Sequence, residues 1–115
     1  MENLLKILYI GRSLEGIAEL RTHSDVLLIH KSNMLEGVNY LKSAENKPDV
    51  VISEIYLSGG GGIEMHQWIR ERADFDQVAF ILISYEFKDE LFKTAFKQRI
   101  DDFFVLPLPP AESMF

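Results

Sequence analysis

Residues 48–62, PDVVISEIYLSGGGG, constrain the fold of this chain more than any other stretch. The short apolar run at 50–55 is rich in β-branched residues, which is typical of a strand buried on both faces of a parallel sheet. Glu54 interrupts the run near its carboxyl end, and four glycines follow soon after. In open α/β sheets, ligands and chemistry lie at the carboxyl ends of the strands. The sequence therefore predicts that Glu54 lies at the functional end of the domain.

Apolar runs and amphipathic segments alternate along the rest of the chain. They predict strands at 5–10, 26–30, 50–55, 78–84 and 102–106, and helices at about 14–23, 34–46, 63–72 and 88–99. Such alternation indicates repeated βαβ units with right-handed crossovers. We therefore expect a flavodoxin-like, doubly wound α/β fold with a five-stranded parallel sheet in the order 2-1-3-4-5. A fifth helix is expected to be largely missing, because only residues 111–115 follow the final prolines.

Length and composition limit the classes of function. The 115 residues suffice for one domain, 1–115, with its own core. The net charge of -6 argues against nucleic-acid binding, because phosphate contacts need clustered Lys and Arg. The absence of cysteine excludes disulfides and thiolate metal sites. Neither a signal peptide nor an apolar run of about 18 residues is found, so we expect a cytoplasmic domain without membrane contact.

In order and spacing, three segments of the chain resemble the receiver domain of two-component response regulators. PDVVISEIYLSGGGG is similar to the strand and Pro/Gly loop around the phosphorylated aspartate of that family. ILISYE is similar to its fourth strand, which carries a Ser or Thr, and DDFFVLPL to its fifth strand, which carries an aromatic residue and Lys-Pro. The resemblance covers nearly the whole chain and implies a signalling domain of the CheY-like type, not an enzyme.

Most of the groups that the family uses for phosphorylation are replaced in this chain. The resemblance places Glu54 at the phospho-acceptor position, Gly11 and Arg12 at the acidic pair that holds Mg²⁺, and Leu106 at the lysine position. Mg²⁺ prefers several oxygen ligands, which a glycine and an arginine do not provide. We therefore expect a degenerate receiver, or pseudo-receiver, without bound metal or other cofactor and without phosphorylation of the usual site. A residual phospho-acceptor at Glu54 or Ser84 is the least favoured alternative.

The two switch residues of the family are retained as Ser84 and Phe103. Two interpretations of Glu54 remain open. Its carboxylate forms a structural ion pair with Arg12 that replaces the metal, or it imitates a phosphorylated aspartate and holds Ser84 and Phe103 in an active arrangement. The first interpretation predicts a contact between Arg12 and Glu54. The histidines do not occur at metal-binding spacing, so the sequence predicts no metal site.

The resemblance implies a partner protein or the output domain of a longer chain. Because the face around the fourth helix and fifth strand commonly carries dimer contacts in receivers, Phe92, Phe96 and Phe103 are the expected interaction residues, and a homodimer is possible. A missing fifth helix would also leave apolar surface near strands one and five. The alternative function is a small-molecule-binding regulatory domain that uses the strand-end crevice near Gly11, Glu54 and Ser84.

Overall fold

A computed structural model describes residues 4–57 and 60–107 of the chain. Within these ranges, five parallel strands form one sheet in the order β2-β1-β3-β4-β5, which confirms the predicted topology. The strands are β1 (Leu5–Ile10), β2 (Val26–Lys31), β3 (Val50–Glu54), β4 (Ala79–Ser84) and β5 (Asp102–Val105). Each lies within about one residue of its predicted bounds. The predicted fifth-helix region falls outside the described residues.

Three α-helices follow strands two, three and four, namely α1 (Met34–Leu41), α2 (Gly62–Arg70) and α3 (Asp89–Lys97). Asn33 caps α1, because its side chain accepts a hydrogen bond from the N–H of Glu36. Helix α1 ends earlier than predicted, and a short 3₁₀ turn, Ala44–Asn46, follows it. A second 3₁₀ turn, Ala73–Phe75, joins α2 to β4. No helix among the described residues is long and apolar enough to cross a membrane.

The first predicted α-helix is wrong in type. Residues Glu15–Thr22 form a 3₁₀ helix with a kink at Ile17, and none of its residues is buried. Its N-cap residue, Leu14, supplies no side-chain hydrogen bond. Ser13, just before it, accepts a hydrogen bond from the N–H of Glu15 with its Oγ. An uncapped start with a glycine at the second position favours the α-helix weakly, so the tighter helix forms here.

The sheet separates two apolar layers because alternate side chains of a strand point to opposite faces. On one face, Leu8, Val51, Phe80 and Leu82 pack against the three α-helices. On the other face, Ile7, Tyr9, Ile52 and Ile83 pack beside the 3₁₀ helix Glu15–Thr22. The second layer is covered less completely, and Leu5 and Phe104 remain 44% and 48% exposed.

The strand register decides which polar groups meet at the carboxyl end of the sheet. Tyr9 is paired with Ile52, so Tyr9 and Glu54 lie on neighbouring strands and point to the same face. Strand β1 continues past Ile10 through the N–H of Gly11, which bonds to the carbonyl of Lys31. This register brings Tyr9, Gly11, Arg12 and Glu54 to one place.

Candidate functional site

Glu54 lies at the carboxyl end of β3 and is only 4% exposed. Its Oε2 atom accepts a hydrogen bond of 2.7 Å from the hydroxyl of Tyr9 and a longer contact of 3.4 Å from the hydroxyl of Tyr85. Its Oε1 atom accepts from the backbone N–H of Arg12 at 3.2 Å. A buried carboxylate needs such donors because its charge has left water. Glu54 is therefore held in a fixed position by strand β1 and the residue that follows Gly11.

The contact between Arg12 and Glu54 that the sequence predicts is present. Arg12 Nε lies 3.7 Å from Glu54 Oε1, and the side chain of Arg12 is 63% exposed whereas that of Glu54 is 5% exposed. Exposed arginines in pairs of this length contribute little to stability, because water screens the charge. The ion pair is thus a secondary contact, and the short hydrogen bond from Tyr9 is the closest contact of Glu54 within the described residues.

Tyr9 is a residue of the candidate site that sequence reasoning missed. Its ring is fully buried in β1, stacks on His30 at a centroid distance of 5.4 Å, and carries its hydroxyl to the site. The hydroxyl oxygen lies 2.7 Å from both the carbonyl oxygen of Ser13 and Glu54 Oε2, so its one proton serves one acceptor at a time. Burial, and then the hydrogen bond and charge of Glu54, raise the pKa of Tyr9 far above its usual value. The hydroxyl therefore stays protonated at every physiological pH.

Gly11 leaves room for the side chains of Tyr9 and Glu54. A Cβ atom built at this position would lie 2.6 Å from Tyr9 Cζ and 2.7 Å from Glu54 Cδ. Its backbone carbonyl meanwhile accepts a hydrogen bond of 2.7 Å from Nε2 of His30. The space that a side chain at position 11 would need is thus filled by the bonded pair of Tyr9 and Glu54.

Among the described residues, neither Ser84 nor Phe103 forms a hydrogen bond or an ion pair with Glu54. Ser84 is buried at the end of β4, where its Oγ donates to the carbonyl of Glu86 at 2.7 Å and accepts from the N–H of the same residue. Phe103 is half-buried on the face that carries α3, and its ring meets Phe92 edge-on at 6.2 Å. Phe103 therefore lies on the opposite face of the sheet from Glu54, whereas Ser84 ends the strand beside it.

Leu106, at the position of the family's lysine, lies in the apolar layer beside the 3₁₀ helix Glu15–Thr22. A Cβ atom on Gly16 would lie 3.2 Å from its Cδ1 atom. The contact is apolar, so the position supplies no charge to the carboxyl end of the sheet.

A cleft of about 270 Å³ opens above Glu54 between the ends of β3 and β4. Its lining residues include Arg12, Glu54, Tyr56, Ser84 and Tyr85. Gly11 does not line it. The crevice predicted from the sequence is therefore present, but it lies beside β4 and not over Gly11.

An exposed aromatic group lies away from this cleft, on α3 and the segment before it. Phe92 and Phe96, two of the predicted interaction residues, are 48% and 79% exposed. Phe87, which the sequence analysis did not select, is 60% exposed, and its ring lies 6.2 Å from that of Phe92. We call Phe87, Phe92, Phe96 and Phe103 the aromatic patch.

Comparison with known proteins gives different results for sequence and for structure. No family model matches the chain, and no curated protein matches it in sequence. Solved structures do match. A two-component response regulator from Clostridium difficile is 24% identical with a TM-score of 0.75, and the match covers 95% of this chain and 88% of that one.

Two further matches are more distant in sequence. The phosphorylated cyanobacterial phytochrome response regulator RcpA is 13% identical with a TM-score of 0.80, over 89% of this chain and 80% of that one. The Mn²⁺-bound response regulator Rcp1 is 14% identical with a TM-score of 0.74, over 87% and 79%. Together with the strand order 2-1-3-4-5, these matches show that the chain has the CheY-like fold of response regulator receiver domains.

Proposed function

We propose that residues 1–115 are a single regulatory domain of signal transduction that keeps the receiver fold without its phosphorylation chemistry. The domain is cytoplasmic, catalyses no reaction, and acts through contacts with a partner protein or an attached output domain. The observation that carries this proposal is the bond between Tyr9 and Glu54, which occupies the position where a receiver accepts phosphate. Glu54 accordingly serves as a fixed charge.

The residues around Glu54 do not fit the divalent cation that a receiver uses. A cation would need further oxygen ligands near Glu54. Position 11 has no room for a side chain beside Tyr9, and position 12 contributes a guanidinium. Among the described residues, no group of three or more His, Cys, Asp or Glu is arranged to hold a metal ion. These observations support the proposal that the domain works without Mg²⁺.

Phosphorylation is tested by incubating the protein with acetyl phosphate and Mg²⁺ and measuring its intact mass. We expect no mass increase, because no metal is held to neutralise a transferring phosphoryl group. The response regulator RcpA, which has been crystallised in phosphorylated form, serves as the positive control under the same conditions. A mass increase of one phosphate that disappears in Glu54→Gln would overturn the proposal.

The partner-binding part of the proposal rests on the aromatic patch. The rings of Phe87 and Phe103 each lie 6.2 Å from that of Phe92, and Phe96 lines the same surface groove as Phe92 and Phe103. Large exposed apolar groups of this kind often mark sites of protein association.

Self-association is tested by sedimentation at high concentration, with Phe96→Ser as the disrupting variant. Phe104→Ser is the matched control, because Phe104 is 48% exposed on the opposite face of the sheet. Monomeric behaviour of the native chain would exclude a homodimer and leave a different protein as the partner.

A second candidate function is a regulatory domain that binds a small molecule in the cleft above Glu54. The cleft lies at the carboxyl ends of the strands, where ligands bind in this class of fold, and a buried carboxylate forms part of its lining. Thermal stabilisation of the protein by one member of a metabolite panel would favour this function. The effect should be absent in Glu54→Gln.

A further inference from the structure

Two carboxylates, those of Glu54 and Glu86, line the cleft. Glu54 lies in its lining with Oε2 bonded to Tyr9, so Oε1 is the carboxylate oxygen on the side of Arg12. Glu86 also lines the cleft with a side chain that is 55% exposed, and its Oε1 lies 3.2 Å from Nζ of Lys88 in an ion pair. The whole chain carries a net charge of -6. The buried carboxylate of Glu54 is therefore the charge that favours a cation in the cleft.

Aromatic residues complete the lining. Tyr56 is 55% exposed beside the cleft, and Tyr85 lies half-buried next to Ser84 with its hydroxyl 3.4 Å from Glu54 Oε2. The faces of aromatic rings attract organic cations, and a carboxylate next to such rings strengthens the preference. A volume of about 270 Å³ accommodates a guanidinium or ammonium group with a short chain.

The chain already places a guanidinium at this carboxylate. Arg12 Nε lies 3.7 Å from Glu54 Oε1, while most of the arginine side chain remains in solvent. Such an exposed arginine is screened by water and is displaced at little cost. Its backbone N–H also bonds to Oε1, so part of the support of Glu54 remains when the side chain leaves.

We propose that the cleft binds a guanidinium-type organic cation, which takes the place of the Arg12 side chain at Glu54. Glu54 Oε1 accepts from the guanidinium N–H groups, and Tyr56 and Tyr85 flank it. The cation is either a free small molecule or the arginine side chain of another protein. This inference deepens the second candidate function; its failure would leave the proposal of a receiver fold without phosphorylation untouched.

The test is a titration with methylguanidinium chloride, followed by the backbone amide chemical shifts of the ¹⁵N-labelled protein. We expect saturable shifts at millimolar concentration that are centred on Glu54, Ile55 and Ser84. N-methylurea is the matched neutral ligand, since it has nearly the same shape without the charge. Sodium chloride at equal ionic strength controls for screening. Equal shifts with N-methylurea, or shifts spread over the whole surface, would overturn the proposal.

Two variants test the roles of the residues. Arg12→Ala removes the internal competitor and should tighten binding roughly two- to fivefold, the range expected for loss of an exposed ion pair. Glu54→Gln keeps the size of the side chain and should abolish saturation. Weaker binding to Arg12→Ala, or unchanged binding to Glu54→Gln, would contradict the inference.

A short peptide distinguishes the two sources of the cation. If Gly-Arg-Gly binds more tightly than methylguanidinium, the ligand is the arginine side chain of a protein. Equal or weaker binding of the peptide identifies a free small cation. Both results support a cation site, whereas binding of Gly-Gly-Gly with the same affinity as Gly-Arg-Gly would refute it.

Discussion

Two arginine–carboxylate pairs lie at opposite ends of the sheet. The basal pair, Arg70 and Asp101, lies at the amino ends of β4 and β5, with Arg70 Nη2 3.0 Å from Asp101 Oδ2. The cleft pair, Arg12 and Glu54, lies at the carboxyl end, with a separation of 3.7 Å. The burial of the partners is reversed. Arg70 is the more buried member of the basal pair, at 29% against 49%, whereas Glu54 is the buried member of the cleft pair.

This reversal shows which residue each pair depends on. Arg70 donates to the carbonyls of Phe75 and Val78 as well as to Asp101, and Asp101 accepts from the N–H of Phe80. The arginine thus holds the segment between α2 and β4 to the start of β5. In the cleft pair the carboxylate is the centre, since Tyr9 and the backbone of Arg12 hold it without the guanidinium. The basal pair therefore joins parts of the fold, whereas the position of Glu54 in the cleft pair depends little on the Arg12 side chain.

Arg70→Met should break the basal pair and have the largest effect. It removes the guanidinium donor from two backbone carbonyls and from Asp101, which keeps the N–H of Phe80, so the free energy of unfolding should fall by about 2–3 kcal/mol. Equilibrium denaturation in urea measures the change. A loss below about 1 kcal/mol would show that these contacts do not hold the amino end of the sheet.

Tyr9→Phe should remove a hydrogen bond from the carboxylate of the cleft pair and should have the second-largest effect on stability. The change removes one donor from buried Glu54, so we expect a loss of about 1–2 kcal/mol in the free energy of unfolding. The same urea titration measures it, with Tyr40→Phe as control, because the Tyr40 ring contacts lysines through its face. Equal effects of the two substitutions would mean that the Tyr9 hydroxyl contributes nothing specific.

His66 lies close enough to the basal pair to feel its charges, and it should make the stability of the protein depend on pH. It is 3% exposed on α2, packs edge-on against Phe80, and both ring nitrogens lack a hydrogen-bond partner among the described residues. Burial, and then the charge of Arg70, lower the pKa of His66 below its ordinary value of 6.5, although Asp101 and nearby Gln98 oppose part of this lowering. The unfolded chain therefore binds a proton more readily than the folded one.

The sign of the effect follows from that difference in proton binding. The contribution of neutral His66 to stability should be complete above pH 6.5 and should be lost as the pH falls from there towards its lower folded-state pKa. Melting temperatures measured between neutral and acidic pH should therefore fall more steeply for the native chain than for His66→Leu. His23→Gln, at an exposed position, should keep the native slope. Identical slopes for the native chain and His66→Leu would refute this prediction.

Arg12→Met should have the smallest effect on stability. Because its side chain is 63% exposed, we expect a change below about 0.5 kcal/mol in urea denaturation. Comparison with Arg70→Met uses the same substitution at the two ends of the sheet. A loss at Arg12 as large as that at Arg70 would show that the guanidinium, and not Tyr9, is the main support of Glu54.

The fold could be predicted because short apolar runs in the sequence mark the strands. Each strand is a mainly hydrophobic run, and the alternation of strands and helices permits few topologies. The position of Glu54 at the carboxyl end of β3 follows from the same pattern. The contact with Arg12 also follows, since both residues end adjacent strands in the predicted order. The type of the first helix could not be predicted, because it depends on a missing cap and on few buried contacts.

The role of Tyr9 could not be predicted because a tyrosine within an apolar strand is also consistent with simple core packing. The signal available was its hydroxyl, which needs a partner when the ring is buried. Tyr9 lies two residues before Gly11 and therefore points to the same face of the strand. The hydrogen bonds of Arg70 were missed for a different reason, since they join backbone carbonyls whose positions are set only by the tertiary structure.

The absence of a side chain at Gly11 has a consequence for how this sequence can change. An acidic residue at position 11 would require the side chains of Tyr9 and Glu54 to shift, because they fill the space. Replacing Tyr9 first removes a donor from a buried carboxylate, which is costly while Glu54 remains. Positions 9, 11 and 54 are therefore coupled, and substitutions at them should covary among related sequences.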